Sequence, residues 1–408
     1  MRLSGIRFLS GLTVALTLLG AVPVQAQVLG NVQRLPGLQV PVNTGLPVPG
    51  AALQNVDQLL QQSAELTRKR QIDLLLGKQR RRVDLDPQGA PVLRGEFLAM
   101  NLVGAQLDAV LAAGFIKQQQ APMAALPELA FIVLRDTRGR SAAQAMRALQ
   151  QAAPGASFTY QHIYLPAGGS DQAAASFAAS PTAQARRVGM IDSGVDRADP
   201  ALVHTRVEQH GCSSAKPSRH GTAVAARLVA GEPDVLFAAD LWCGDAVGGA
   251  TSQLVEALAW MAQQHVAVIN ISLVGPDNPV LARAVQVMLA HGHVLVSAVG
   301  NDGPAAPPLF PAAYPGVIGV GGVDAHNRVL PESASGKQVA FCASGVIGSG
   351  RDMLRGTSFA APIVARKAAH LLDAPSPDAS ERVLQQLISE ARALDPARCG
   401  HGLLSSES

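Results

Sequence analysis

From Arg187 onward the chain repeats one pattern: a short apolar run, an amphipathic stretch of helical period, then another apolar run. The apolar runs are Val188 to Asp192, Val235 to Leu241, Val266 to Ser272, Val294 to Val299 and Val317 to Val323. Strands that are apolar on both faces need cover on both faces, and helices between them supply it. The pattern therefore predicts an α/β fold with a doubly wound parallel sheet over 187–408. Helices are expected at Gly221 to Ala230, Ser252 to His265, Val280 to His291, Thr357 to Leu372 and Ser380 to Ala393. In open sheets of this kind functional groups gather at the carboxyl ends of the strands, where Asp192, Ser272 and Asn301 fall.

Upstream the periodicities differ. Strands are expected at Glu96 to Leu102, Phe115 to Gln120, Ala130 to Leu134 and Ser157 to Tyr164, with helices at Ala105 to Ala113 and Ser141 to Ala152. This βαββαβ order predicts a small α+β, ferredoxin-like domain over 92–167. RNA-recognition domains share the topology, but their aromatic, basic strand motif is absent. Residues 168–186 are mostly Ala, Ser, Gly and Gln and read as an exposed linker open to proteolysis. Residues 27–91 read as a flexible Gly- and Pro-rich arm followed by a basic amphipathic helix from Ala51 to about Arg82. Its clusters Arg68-Lys69-Arg70 and Lys78 to Arg82 fit a solvated face, with an anionic membrane or partner surface as the alternative.

Residues 1–26 carry Arg2 and Arg7, an apolar run from Phe8 to Val22, and Val24-Gln25-Ala26 before Gln27, the pattern of a cleaved secretory signal peptide. The run is shorter than the roughly 20 residues that span a bilayer, so no transmembrane segment is expected in the mature chain, which should be secreted or periplasmic. In an oxidising compartment Cys212, Cys243, Cys342 and Cys399 can form two bridges. Four cysteines allow three pairings and their spacing does not choose among them. Cys212–Cys243 with Cys342–Cys399 is preferred, because the first two lie on loops at the same end of the sheet. No CxxC pair or acidic cluster points to a metal, and no cofactor is expected. At 408 residues and 48% hydrophobic the chain can bury a core in more than one domain. A net charge of +3 with 4% aromatic residues gives no nucleic-acid surface.

The chemistry is carried by three short stretches. Arg355-Gly-Thr-Ser-Phe-Ala-Ala-Pro362 precedes an apolar helical pattern, so Ser358 sits at a helix start, with Gly356 allowing a tight turn and Pro362 expected in the opening turn. Unpaired N–H groups of a first turn favour negative charge developing beside that serine. Asp192 ends a strand in Gly-Met-Ile-Asp-Ser-Gly, and His220 opens a helix in Arg-His-Gly-Thr. Taken singly, each could be a turn or cap residue.

Together, in the order Asp192, His220, Ser358, these motifs resemble the subtilisin-like serine proteases, the subtilases. That order is taken from the family. The resemblance implies a catalytic triad of those three residues, an oxyanion hole made by Asn301 in Val-Gly-Asn-Asp-Gly and the Ser358 N–H, and a substrate-binding strand at Ser272, Leu273, Val274 and Gly275. It also implies that 92–167 is a propeptide that inhibits the site until cut, and that the partner of the mature enzyme is a protein or peptide substrate. The sequence departs from the family in three places. The usual segment before the first strand is missing or replaced, Ala223 to Ala226 follow His220-Gly221-Thr222 where a second histidine and a glycine are common, and Val274 stands where a glycine is usual. With Leu309, aligned to the floor of the primary pocket, Val274 predicts preference for a small residue before the cut bond. A competing reading is a catalytically quiet peptide-binding protein on the same fold, which would not need all four side chains.

Overall fold

Seven strands form the larger sheet of the computed structural model, which describes residues 68–118, 123, 125–167, 186–214, 216–232, 234–349 and 353–405. The expected signal peptide, the arm, the first part of the basic helix and the linker as far as residue 185 lie outside these. In the small N-terminal unit the strands are β1 (Val83–Leu85), β2 (Pro91–Met100), β3 (Phe115–Lys117), β4 (Phe131–Asp136) and β5 (Ser157–His162). A two-residue β6 (Leu165–Pro166) leaves it. The large sheet runs in the order β14 (Phe341–Ser344), β13 (Ile318–Val323), β12 (Val294–Ala298), β10 (Val268–Ile271), β7 (Arg187–Asp192), β9 (Val235–Asp240) and β8 (Arg206–His210). All its pairings are parallel. Outside it lie β11 (Leu273–Val274) and the pair β15 (Val346–Ile347) and β16 (Leu354–Arg355).

Both faces of the large sheet are dry. Val188, Met190, Val268, Val294 and Val296 point into one cluster with Phe359, Ile363 and Val364 of the helix Thr357–Ala369. Ile191, Ile269, Ile271 and Leu295 point into another with the helices Thr251–Gln263 and Pro279–Ala290. This is why the strands read as unbroken apolar runs, and each fully buried Val, Ile or Leu contributes about 1.5 to 3 kcal/mol. Gly189 interrupts β7 because a Cβ there would lie 2.9 Å from both Met261 Sδ and Val266 Cγ1.

The five expected strands are present, and two further ones, β8 and β14, complete the edges. Strand β8 lies at the open edge, so Arg206-Val-Glu-Gln-His is polar at four of its five positions and escapes an apolar-run criterion. The disulfides are Cys212–Cys243 and Cys342–Cys399, the preferred pairing. Closing loops with separations of 31 and 57 residues stabilises by roughly 4 kcal/mol each in the chain-entropy picture.

The small sheet has the order β5-β2-β4-β3, antiparallel throughout, with helices Gly104–Ala112 and Ala142–Ala152. This is the ferredoxin-like order. Ser141 caps the second helix, its Oγ accepting from Gln144 N. Two details differ from expectation. The sheet starts before residue 92, because β1 pairs with the opening of β2. The expected last strand, Ser157 to Tyr164, ends at His162, after which the chain crosses to the large domain and β6 pairs antiparallel with β11. The second departure positions the site.

Candidate active site

Asp192 closes β7 and is fully buried. Its Oδ1 accepts from Ser193 N at 2.6 Å, Ser193 Oγ at 2.8 Å and, at 2.9 Å, lies against His220 Nδ1. His220 is the second residue of the helix Arg219–Val229. That helix comes close enough because residue 221 is glycine: a Cβ there would fall 2.2 Å from Ser193 O. The imidazole packs on Phe359, ring centroids 5.2 Å apart, which sets it beside the start of the helix that carries Ser358. Asp240, the register partner of Asp192 in β9, is also buried. Burial pushes its carboxyl up against the pull of the Trp242 and Cys243 amides, and the Asp192 charge adds to the rise.

The helix Thr357–Ala369 begins after Gly356, whose φ of 146° suits glycine. Pro362 is therefore the sixth helical residue, beyond the opening turn where it was expected. Lacking an N–H, it leaves the Ser358 carbonyl without its i+4 donor. Ser272 Oγ donates to that carbonyl at 3.0 Å and is itself held by Asn270 Nδ2 at 2.9 Å. The proline and the serine at the end of β10 thus form one device, and Ser358 Oγ in turn reaches Ser272 O at 3.4 Å. The free N–H groups of the first turn are also used. Thr357 N donates to Asn301 Oδ1 at 3.0 Å, which orients the Asn301 amide, and Gly300 N donates to Thr357 Oγ1 at 3.1 Å.

The strand β6 fills the cleft between these groups. Leu273 and Val274 pair with Pro166 and Leu165, and Ala167 N donates to Ser272 O at 3.1 Å. On the other side Tyr164 N donates to Gly249 O at 2.8 Å and Ile163 bridges Ala250. The Ala167 carbonyl accepts from both Ser358 N, at 3.1 Å, and Asn301 Nδ2. Gly275 is closed by hydrogen bonds to Phe310 in both directions, and a Cβ on it would meet the Tyr164 ring at 2.5 Å. Tyr164 is completely buried, with its hydroxyl donating to Pro276 O at 2.9 Å. Ala167, Val274 and Leu309 share one apolar cluster, and a Cβ on Gly300 would lie 2.7 Å from Leu309 Cδ1 and 3.7 Å from Val274 Cγ1. Leu309 and Val274 therefore close the space beside Gly300.

All nine sequence-derived site residues come to one place: Asp192, His220, Ser358, Asn301, Ser272, Leu273, Val274, Gly275 and Leu309. The sequence reading missed the chain's own occupant of that place, Tyr164 to Ala167, whose only linear signal is its position at the end of the small domain. It also missed the buried relay that fastens the two domains. Asn278 caps the helix Pro279–Ala290 through Oδ1, so its Nδ2 is left to face His162 Nδ1 at 3.0 Å and Tyr160 O at 3.1 Å. His162 Nε2 then meets Asp86 Oδ2 at 3.1 Å. Burial opposes ionisation of Asp86, but His162 and the amides of Ala90 and Gln88 outweigh it and hold the carboxyl below its ordinary range.

A family model described as the subtilase family matches residues 184–402. Subtilisin DY of Bacillus licheniformis is 31% identical over 249 residues, 54% of this chain and 89% of that one. Subtilisin E of Bacillus subtilis strain 168 is 31% identical over 231 residues, 51% of this chain and 61% of that one. Among solved structures, fervidolysin from Fervidobacterium pennivorans superposes with a TM-score of 0.62 at 18% identity, covering 80% of this chain and 62% of that one. At that identity the likeness speaks to the fold alone.

Proposed function

The chain belongs to the subtilase family and is a serine endopeptidase, and from that premise we propose that Asp192, His220 and Ser358 are its catalytic triad. A serine hydroxyl is a weak nucleophile at neutral pH. His220 takes the Ser358 proton as Oγ attacks the substrate carbonyl, while Asp192, bonded to Nδ1, fixes the tautomer and stabilises the imidazolium. Asn301 Nδ2 and Ser358 N hold the oxyanion of the tetrahedral intermediate. His220 then protonates the leaving amine, and water hydrolyses the acyl-enzyme.

The same reading makes the protein an exported zymogen that cuts itself between Ala167 and Gly168. One observation carries this: the Ala167 carbonyl already receives both proposed oxyanion donors while β6 lies paired in the cleft. The small domain and β6 act as its inhibitor. Val274 and Leu309 restrict the residue before the cut to a small one, and Ala167 meets that restriction. Two disulfides, and no helix among the described residues long and apolar enough to cross a membrane, are consistent with export. The test is to express the precursor and its Ser358→Ala variant and to determine masses and N-termini. Wild type should yield a new N-terminus at Gly168 and the variant should stay joined there. Identical cutting of both in pure preparations, or cutting of neither, overturns the zymogen.

A further inference from the structure

The basic residues at 68–82 remain to be explained. The chain is helical over 68–79, turns over 80–82 and enters β1. Arg68 Nη1 lies 2.7 Å from Asp302 Oδ2, a pair only 19% and 15% exposed, next in sequence to Asn301. Burial pushes the Asp302 carboxyl up, and Arg68 opposes that rise. At the other end Arg82 Nη1 lies 2.7 Å from Asp245 Oδ1. Leu75, Leu76 and Leu165 all pack against a cluster of Val83, Ile163 and Val247. Leu165 belongs to the strand in the cleft, so the helix and that strand share one apolar cluster while Arg68 and Arg82 hold acids of the catalytic domain.

The base of the segment is tied to the small domain: Arg94 N donates to Arg82 O at 2.8 Å, Arg94 Nε donates to Arg80 O at 3.0 Å, and Leu93 packs on the same cluster. The inner core of that domain, made of Phe97, Val110, Phe115, Leu134, Met146 and Leu149, draws on nothing from 68–82. The segment thus reaches from the small domain onto Asp245, Val247 and Asp302 of the catalytic domain. We propose that residues 68–82 are a strap that docks there and prolongs the hold of the cut prosegment on the enzyme. The proposal rests on the reading that Ser358 cuts after Ala167.

The test uses the full precursor as wild type, Arg68→Ala, Arg82→Ala and the double variant, and follows two readouts. The appearance of Gly168 as an N-terminus reports cleavage, and hydrolysis of a chromogenic peptide reports release. All four should be cut at similar rates. The lag between cleavage and activity should shorten about tenfold in the double variant, each arginine accounting for a few-fold. Raising sodium chloride from about 0.05 to 0.5 M should shorten the wild-type lag and leave that of the double variant nearly unchanged. The charge swap Arg82→Glu with Asp245→Lys should lengthen the lag relative to Arg82→Glu alone, a readout that misfolding would not restore. Normal cleavage with equal lags in wild type and double variant overturns the strap. Failure of the wild type to produce Gly168 overturns the zymogen reading, and the strap with it.

Discussion

The floor of the cleft and its roof join the same strand, Leu165–Pro166, by different means. On the floor the contacts are backbone and fully buried side chains: Ser272, Ser358 and Asp192 have no exposed surface, and glycines at 221, 275 and 300 admit neighbours that a Cβ would displace. On the roof the contacts are between side chains: Leu75 and Leu76 on an apolar cluster, Arg68 with Asp302 at 19% and 15% exposure, and Arg82 with Asp245 at the edge of water at 47% and 44%. A buried contact set whose members satisfy one another has two states, intact or broken. Solvated ion pairs weaken by degrees with salt and substitution. Under the zymogen reading proposed above, catalysis is served by the first kind and release of the small domain by the second.

Substitutions should separate the two regions, beginning with the largest effect. Asn301→Ala removes one proposed oxyanion donor and should lower kcat by about 10²- to 10³-fold with KM changed by only a few-fold, the loss found when a subtilisin loses such a donor. Prosegment retention, spread over many contacts, should hardly change. Steady-state kinetics beside size-exclusion of the cut complex gives both numbers, and a large KM effect would place Asn301 in binding instead.

Next comes the pocket. Leu309→Gly opens the space beside Gly300 and should raise the relative rate of cutting after Phe or Leu, against Ala, by roughly tenfold. Peptide-library profiling checks this, and a wild-type preference for large or basic residues at that position would reject the narrow pocket.

The smallest effect belongs to the small domain. Asp86 has a folded pKa below its ordinary value, so its contribution is present above that ordinary range and lost as pH falls through the depressed value. The stability of the small domain, which supplies both Asp86 and His162, should therefore decline as pH drops from about 5 to about 3. Asp86→Asn should flatten that decline, measured by thermal unfolding of the Ser358→Ala precursor across that range.

The sheet was readable because its cause is local: a strand buried on both faces is apolar at nearly every position, with Asn270 and Ser297 the hydrogen-bonded exceptions in β10 and β12, and linear text records that directly. The edge strand β8 escaped because none of its residues is fully buried, and β14 because it is a run of only four residues ending in Ser344. The candidate site was readable because the motifs around Asp192, His220 and Ser358 stand in the order that the subtilase family has, whereas each alone is only the end of an element. Pro362 was misplaced by a few residues because its partner, Ser272, lies 86 residues from the carbonyl it satisfies. No pattern near Pro362 mentions that serine.

The sequence alone determined an α/β and an α+β unit and the seven-stranded sheet's five inner strands, which follow from periodicity, while its resemblance to the subtilases marked three catalytic candidates and Asn301. Only the tertiary structure decided what occupies the cleft and what covers it. Tyr164 to Ala167 is ordinary text until β11 supplies a pairing edge, and Arg68 is one basic residue in a cluster until Asp302 comes within 2.7 Å across 234 positions. Such contacts are set by where two domains dock, and docking depends on shapes and charges that meet only after each domain has folded.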